Sequence, residues 1–233
     1  MLRKMDSNKM GSSDLGWLKS TFHFSFAEYY NPNNLQFGVL RVINDDLIKS
    51  KTGFDTHPHK DMEIISYVVD GELTHSDSMG NKNTITRGHI QYMSAGTGVL
   101  HSEHNLGDSI LRLLQIWIFP DKKGYTPSYG DHQFNWDDRK NKWLHMVSSI
   151  KGDAPIKINQ DANIFALELE QGNKISFPIK DGRQGYLVQI EGTSNINDLQ
   201  LTDRDGLEIV EEEITINAVE ISHLLLIEMK KED

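Results

Sequence analysis

Short runs of Val, Ile, Leu, Tyr and Phe, each ended by Gly, Asn or Asp, dominate the chain and confine it to β architecture. Residues 35–43, 63–69, 90–93, 111–119, 186–190 and 224–229 read as strands, and helical periodicity is scarce. Many short strands separated by turn signals imply a sandwich or barrel with few short helices. Asp77-Ser78-Met79-Gly80-Asn81 reads as a turn with Gly80-Asn81 at its tip. From about residue 120 to 162 the chain becomes polar and turn-rich, which predicts a connection with little regular structure. Its aromatics Tyr125, Tyr129, Phe134, Trp136 and Trp143 are expected to pin it against a sheet.

Two histidine motifs lie within the strand-like stretches. His57-Pro58-His59 is followed about forty residues later by His101-Ser102-Glu103. In a strand, residues i and i+2 emerge on one face, roughly 6.5–7 Å apart, so two strands can aim four donors at one cation. Three imidazoles and a carboxylate suit a divalent transition ion and leave coordination positions open for chemistry. His104 has the opposite parity to His101 and is expected to face away. His23, His75, His89, His132 and His145 have no partner pattern, and surface or hydrogen-bonded roles are expected for them. Ser94-Ala95-Gly96-Thr97-Gly98 lacks the lysine of a phosphate loop and reads as a tight barrel corner.

The 233 residues are ample for a sizeable core in one large or two small domains. With 37% hydrophobic and 25% charged residues the chain has an ordinary soluble composition. A net charge of −10 without a Lys/Arg cluster argues against direct nucleic-acid binding. With no cysteine there is no disulfide, thiolate ligand or cysteine nucleophile. No apolar run approaches the ~20 residues a membrane helix needs, and no secretory signal is evident, so a cytoplasmic protein is expected.

A faint internal echo suggests duplication. Tyr67-Val68-Val69-Asp70-Gly71 resembles Tyr186-Leu187-Val188-Gln189-Ile190-Glu191-Gly192, and Gly88 resembles Gly206. Counting back from the second tyrosine, the positions matching His57 and His59 fall near Ser176 and Pro178, and His223 is the single histidine beyond His145. A duplicated second half would therefore have lost its metal site.

At the level of motifs, His57-Pro58-His59-Lys60-Asp61-Met62-Glu63, the Asp77–Asn81 turn and Met93-Ser94-Ala95-Gly96-Thr97-Gly98-Val99-Leu100-His101-Ser102-Glu103 resemble the pirin family of bicupins. Within that family the bacterial branch described as quercetin 2,3-dioxygenases is nearest. Gly16-Trp17-Leu18, Phe24-Ser25-Phe26-Ala27, Leu40-Arg41-Val42-Ile43-Asn44-Asp45-Asp46 and Gln115-Ile116-Trp117-Ile118 add to the likeness, which is dense from about residue 16 to 130. It implies two cupin (jelly-roll) β-barrels in tandem. These would be a metal-binding cupin over 1–125, a connecting segment over 126–160 and a degenerate cupin without metal ligands over 161–233.

The resemblance maps the ligands onto His57, His59, His101 and Glu103. Glu63 shares parity with the first histidine pair, where many cupins carry their carboxylate. It is expected instead to orient a ligand histidine or to be a satisfied internal carboxylate. Asn105 is expected to be a turn residue. The implied metal is Fe²⁺, with Mn, Ni, Cu or Zn as alternatives. The implied reaction is ring cleavage of a flavonol-like substrate by O2, with Glu103 also taking the proton of the reacting hydroxyl. The other reading is a metal-binding regulator acting through protein partners. A monomer is expected, with no membrane association.

Overall fold

The structure is a computed structural model of the chain and describes residues 1–231. In chain order the strands are β1 (Leu2–Met5), β2 (Gly11–Asp14), β3 (Leu18–Phe22), β4 (Leu40–Ile48), β5 (Thr52–His59), β6 (Glu63–Asp70), β7 (Glu72–Asp77), β8 (Lys82–Thr86), β9 (Ile90–Ser94), β10 (Val99–Asn105) and β11 (Leu111–Ile118). They continue with β12 (Ser128–His132), β13 (Leu144–Ser149), β14 (Ile156–Ile158), β15 (Ala162–Leu169), β16 (Lys174–Pro178), β17 (Arg183–Glu191), β18 (Ser194–Ile196), β19 (Leu199–Leu201), β20 (Gly206–Val210), β21 (Glu213–Ala218) and β22 (Ser222–Lys230). Two single 3-10 turns, Ser7–Lys9 and Trp136–Arg139, are the helical pieces among the described residues. The all-β class expected from the sequence is the class observed.

The chain forms two compact units. One comprises Gly11–Phe134 with residues 158–160. Its seven-stranded sheet runs β12-β9-β6-β11-β4-β3-β2, and its four-stranded sheet runs β5-β10-β7-β8. β6 and β11 are central and rich in Ile, Val and Leu; β6 is buried at every position but its last, and β11 at five of its eight. Ile48, Val68, Leu73, Ile85, Leu111 and Leu113 pack together, each about 1% exposed or less. Each such side chain contributes about 1.5–3 kcal/mol by leaving water. β10 alternates instead: Val99, His101, Glu103 and Asn105 are buried, while Leu100 is exposed and Ser102 and His104 are partly so. Polar side chains have thus been directed inward at every second position.

The other unit comprises Met1–Met10, Asn135–Lys157 and the chain from Asp161 onward. Its sheets run β1-β20-β17-β22-β15-β13-β14 and β16-β21-β18-β19. Leu167, Leu187, Leu207, Ile214, Ile216 and Leu226 form part of its core, all fully buried.

The strand orders repeat. β9-β6-β11-β4 corresponds to β20-β17-β22-β15, and β5-β10-β7-β8 corresponds to β16-β21-β18-β19. The echoed glycines close equivalent turns: Gly71 and Gly192 have φ of 80° and 81°. In this correspondence β16 takes the place of β5. Ser176, facing Thr215 across β16 and β21, stands where His57 faces His101 across β5 and β10.

Three features depart from the sequence reading. The strand expected over 35–43 is β4 (Leu40–Ile48), because Gly38 (φ 53°) turns the chain just before it. The 120–162 stretch is not irregular: it carries β12, β13 and β14. β12 extends the sheet by pairing with β9, Tyr129 lying opposite Met93. The units also divide differently from 1–125, 126–160 and 161–233. The first ten residues add strand β1 to the second unit through pairing with β20, a long-range partnership that leaves no local signal in sequence.

Candidate metal centre

The β5–β10 ladder sets the geometry of the site. His57 lies directly opposite His101, and His59 opposite Val99, the residue two before His101. The three rings therefore meet on one face, with centroids 4.5 Å (His57–His101), 4.9 Å (His57–His59) and 4.9 Å (His59–His101) apart. One nitrogen from each lies within 4.8 Å of the others. His57 Nδ1 donates to the Asp55 carbonyl at 2.7 Å. Since a carbonyl only accepts, Nδ1 carries a proton, which leaves Nε2 as the ring nitrogen that can face a metal ion. Both ring nitrogens of His101 are buried without a hydrogen-bond partner.

Burial, then the neighbouring imidazoles His101 and His57, lowers His59 to about 4. Burial, then His57 and His75, lowers His101 to about 3. Both rings are neutral at pH 7 and so present lone pairs, as metal ligation requires. His59 also packs edge-on against Trp117, with centroids 5.0 Å apart.

Glu103 stands on the same face of β10 as His101 and lines the same cavity as His57 and His59. The β5–β10 register slips between His101 and Glu103, so Glu103 opposes Phe54 rather than Asp55. Its Oε1 accepts from Ser66 Oγ at 2.7 Å and Gln91 Nε2 at 2.5 Å, and its Oε2 from Gln115 Nε2 at 2.6 Å. Those three donors are cross-strand neighbours: Gln115 pairs with Ser66, and Ser66 with Gln91. Glu103 is 1% exposed, and no lysine or arginine forms an ion pair with it among the described residues. A buried carboxylate held only by neutral donors favours a cation nearby.

His75, read in sequence as an unpatterned histidine, belongs to this environment. It sits opposite Glu103 on β7, fully buried, and with His101 and Glu103 forms a second group of donors within 4.8 Å. Its Nε2 meets Asp77 Oδ2 at 3.0 Å while Nδ1 has no partner, and Tyr129 stacks on its ring at 4.4 Å. Burial opposes ionisation of Asp77, but hydrogen bonds from His75, Asn81 and Met79 outweigh it and lower its pKa. The signal in sequence was His75-Ser76-Asp77, a histidine and its carboxylate on one strand face. The structure thus brings His57, His59 and His101 together, and His101 is shared with a second group formed with His75 and Glu103. Neutral imidazoles with free lone pairs beside an uncompensated carboxylate fit a divalent transition ion.

Glu63 is elsewhere. The parity argument required one strand through residue 63, but the chain turns after His59, with Asp61 at φ 50°, and β6 begins at Glu63. Its oxygens accept from Tyr92 Oη (2.7 Å), Ser94 Oγ (2.7 Å) and the Asn159 amide (3.0 Å), so it is a satisfied internal carboxylate rather than the partner of a ligand histidine. Asn105 holds a turn, donating to the Ile48 and Ser109 carbonyls. His104 faces away, beside Asp55. A Cβ on Gly96 (φ 44°) would lie 1.9 Å from the Tyr125 carbonyl oxygen, which explains the tight corner at 94–98. Met62 and Met93 pack with Ile64 and Val99 in a hydrophobic cluster.

A cavity of about 300 Å³ opens onto the histidines. This is the low end of the range for small-molecule sites, about 300–1,000 Å³. Phe22, Phe26, Phe54 and Trp117 supply aromatic walls, and His57, His59, Glu103 and Gln115 a polar end. Ser20, Asn44 and Asp46 also line it, and sequence reading gave none of them a functional role. Burial raises Asp46 to about 7; a bond from Ser20 opposes this, and the charges of Asp45 and Glu103 add to it.

Two barrels of repeated strand order, one with a histidine-rich interior, define a bicupin. The Pirin family signature matches residues 4–118, and that of the quercetinase C-terminal cupin domain matches residues 145–229. A pirin-like protein of Caulobacter vibrioides is 44% identical over 98% of this chain and 99% of its own. A quercetin 2,3-dioxygenase of Escherichia coli is 42% identical over 98% of this chain and 97% of its own. The crystal structure of the bacterial pirin YhhW from Escherichia coli, in complex with nickel(II), superposes with a TM-score of 0.93 at 38% identity over the whole of both chains. The chain belongs to the pirin family. No helix among the described residues is long and apolar enough to cross a membrane.

Proposed function

We propose that the chain is a metal-dependent oxygenase that opens the ring of a flavonol-like enol with O2, with His57, His59, His101 and Glu103 as the metal donors. The observation that carries this reading is the meeting of the imidazoles of His57, His59 and His101, the first two of which line one end of an aromatic-walled cavity. The relatives named quercetin 2,3-dioxygenase support a flavonol-like substrate. A divalent transition ion there, iron(II) or an alternative such as the nickel of the YhhW complex, would supply Lewis acidity toward a deprotonated hydroxyl and redox chemistry with O2.

The chain's own residues do the rest. Phe22, Phe26, Phe54 and Trp117 hold a flat ring system and exclude water from it. Glu103 accepts the proton of the reacting hydroxyl at Oε2, and Gln115, Ser66 and Gln91 keep its carboxylate in place. Trp117 against His59 fixes that ring beside the substrate.

Protein loaded in turn with Fe, Mn, Ni and Cu tests the reading. Anaerobic mixing with quercetin should shift the flavonol spectrum, and admission of air should release carbon monoxide. Unchanged flavonol with all four metals would remove the substrate assignment.

A further inference from the structure

Asn44 and Asp46 occupy successive inward positions on β4, so their side chains share one face and both line the cavity. Asn44 lies opposite Gln115 on β11. It therefore extends the polar row Gln115–Ser66–Gln91, whose members all bond to Glu103. Asn44 makes no bond to Glu103, and like Oε1 of Gln91 its Oδ1 meets no donor; neither does Oδ1 of Asp46, although Asn44 and Asp46 are only 4% and 3% exposed. Asp46 is engaged by the Ser20 hydroxyl, its cross-strand neighbour on β3. Asp45, which points the other way, is paired with Arg112 of the neighbouring strand β11 at 2.6 Å, so that cation is spent on the opposite face.

Buried acceptors are ordinarily paired, and two neighbouring exceptions on a cavity wall point to a ligand that brings the donors. A cationic ligand would be repelled by a divalent ion at the adjacent donor cluster. A phenolic hydroxyl is suited because it can both donate and accept, and so serves Asp46 in either protonation state.

We propose that Asn44 and Asp46 form an acceptor pair that binds ring hydroxyls of a polyhydroxylated aromatic ligand, separately from the hydroxyl that reacts at the metal end. This rests on the oxygenase reading for the ligand class but not for its own test. The pair selects among substrates, while the histidines and Glu103 treat all 3-hydroxyflavones alike. Discrimination in a site built to hydrogen-bond a hydroxyl is strong, because an analogue lacking it leaves buried groups unpaired.

The test is binding of 3-hydroxyflavone and of its 5,7-dihydroxy derivative to metal-loaded full-length protein without oxygen, read by quenching of tryptophan fluorescence. The native chain should prefer the dihydroxy compound by about tenfold or more. Asn44→Leu should reduce that preference to near unity while leaving the affinity for 3-hydroxyflavone unchanged or better. Asp46→Leu, as an independent variant, should do the same. Because both ligands are measured on one variant, general damage to the fold lowers both affinities and leaves the ratio intact. A native preference near unity, or a preference surviving in both variants, would overturn the pair's role without touching the ring-cleavage reading. Hydroxyl-dependent binding with no turnover in air would do the reverse, and loss of binding for both flavones in the native chain would overturn the two together.

Discussion

Gln115 donates its amide to the buried Oε2 of Glu103 at 2.6 Å, reaching from the seven-stranded sheet to a residue of the four-stranded one. Gln115→Ala leaves that oxygen without its donor, at a cost of about 1–3 kcal/mol for an unsatisfied buried group. Supporting bonds of this kind also typically tune metal affinity by 10- to 100-fold. Urea unfolding of the metal-free protein and metal competition should show both losses, and a variant with native affinity would separate Glu103 from the metal.

Removal of His101, buried between His57 and His75, should eliminate metal retention. His101→Ala is expected to come through dialysis without bound metal, as read by elemental analysis, whereas His104→Ala, on the outer face of the same strand, should keep the native content.

Metal binding near pH 7 should release few protons. His59 and His101 lie near 4 and 3, already neutral, so neither gives up a proton to a ligating ion. Calorimetry in buffers of different ionisation enthalpy would contradict this by counting two or more protons from the imidazoles. The same depression has a stability consequence. The unfolded histidines titrate near 6.5, so the contribution of these two rings is present above that value and is lost as the pH falls toward 4 and then 3.

Asp46 acts in the opposite direction. Its folded value is near 7 against an ordinary 3.8, so its contribution is full below about pH 4 and disappears as the pH rises through 7. Asp46→Asn should therefore stabilise the metal-free protein progressively from pH 4 to 7, by about 4 kcal/mol at most, and be neutral at lower pH. Denaturant titrations across that range would refute the assignment by showing a pH-independent difference.

At Gly192, a Cβ would lie 2.1 Å from the Ile221 carbonyl oxygen, on a backbone with φ of 81°. Gly192→Ala should cost about 1–3 kcal/mol, since both the conformation and the space exclude a side chain. Gly172, also at positive φ but in open space, should cost less when changed to Ala, and comparison of thermal unfolding of the two variants checks the distinction.

The sequence made the histidine trio legible because strand parity is local: His57 and His59, then His101 and Glu103, needed only the period of two to be placed on one face. Glu63 exposed the limit of that reasoning, since a single left-handed residue, Asp61, resets the parity count. His75, Asn44 and Asp46 were hidden for another reason. Their importance lies in which strand runs beside them, and the pairings β7–β10 and β4–β11 join residues dozens of positions apart. The 120–162 stretch was misread because edge strands such as β12 take their order from the sheet they join rather than from their own apolar content.

The hydroxyl-to-hydroxyl bond of 2.9 Å between Ser176 and Thr215, at the rungs that carry His57 and His101 in the other ladder, shows how little the scaffold asks of those positions. Imidazoles and small alcohols are accommodated alike without disturbing the order of strands. Such tolerance would let an ancestral repeat shed its chemistry in one copy by a handful of substitutions, while hydrophobic layers elsewhere kept both copies folded.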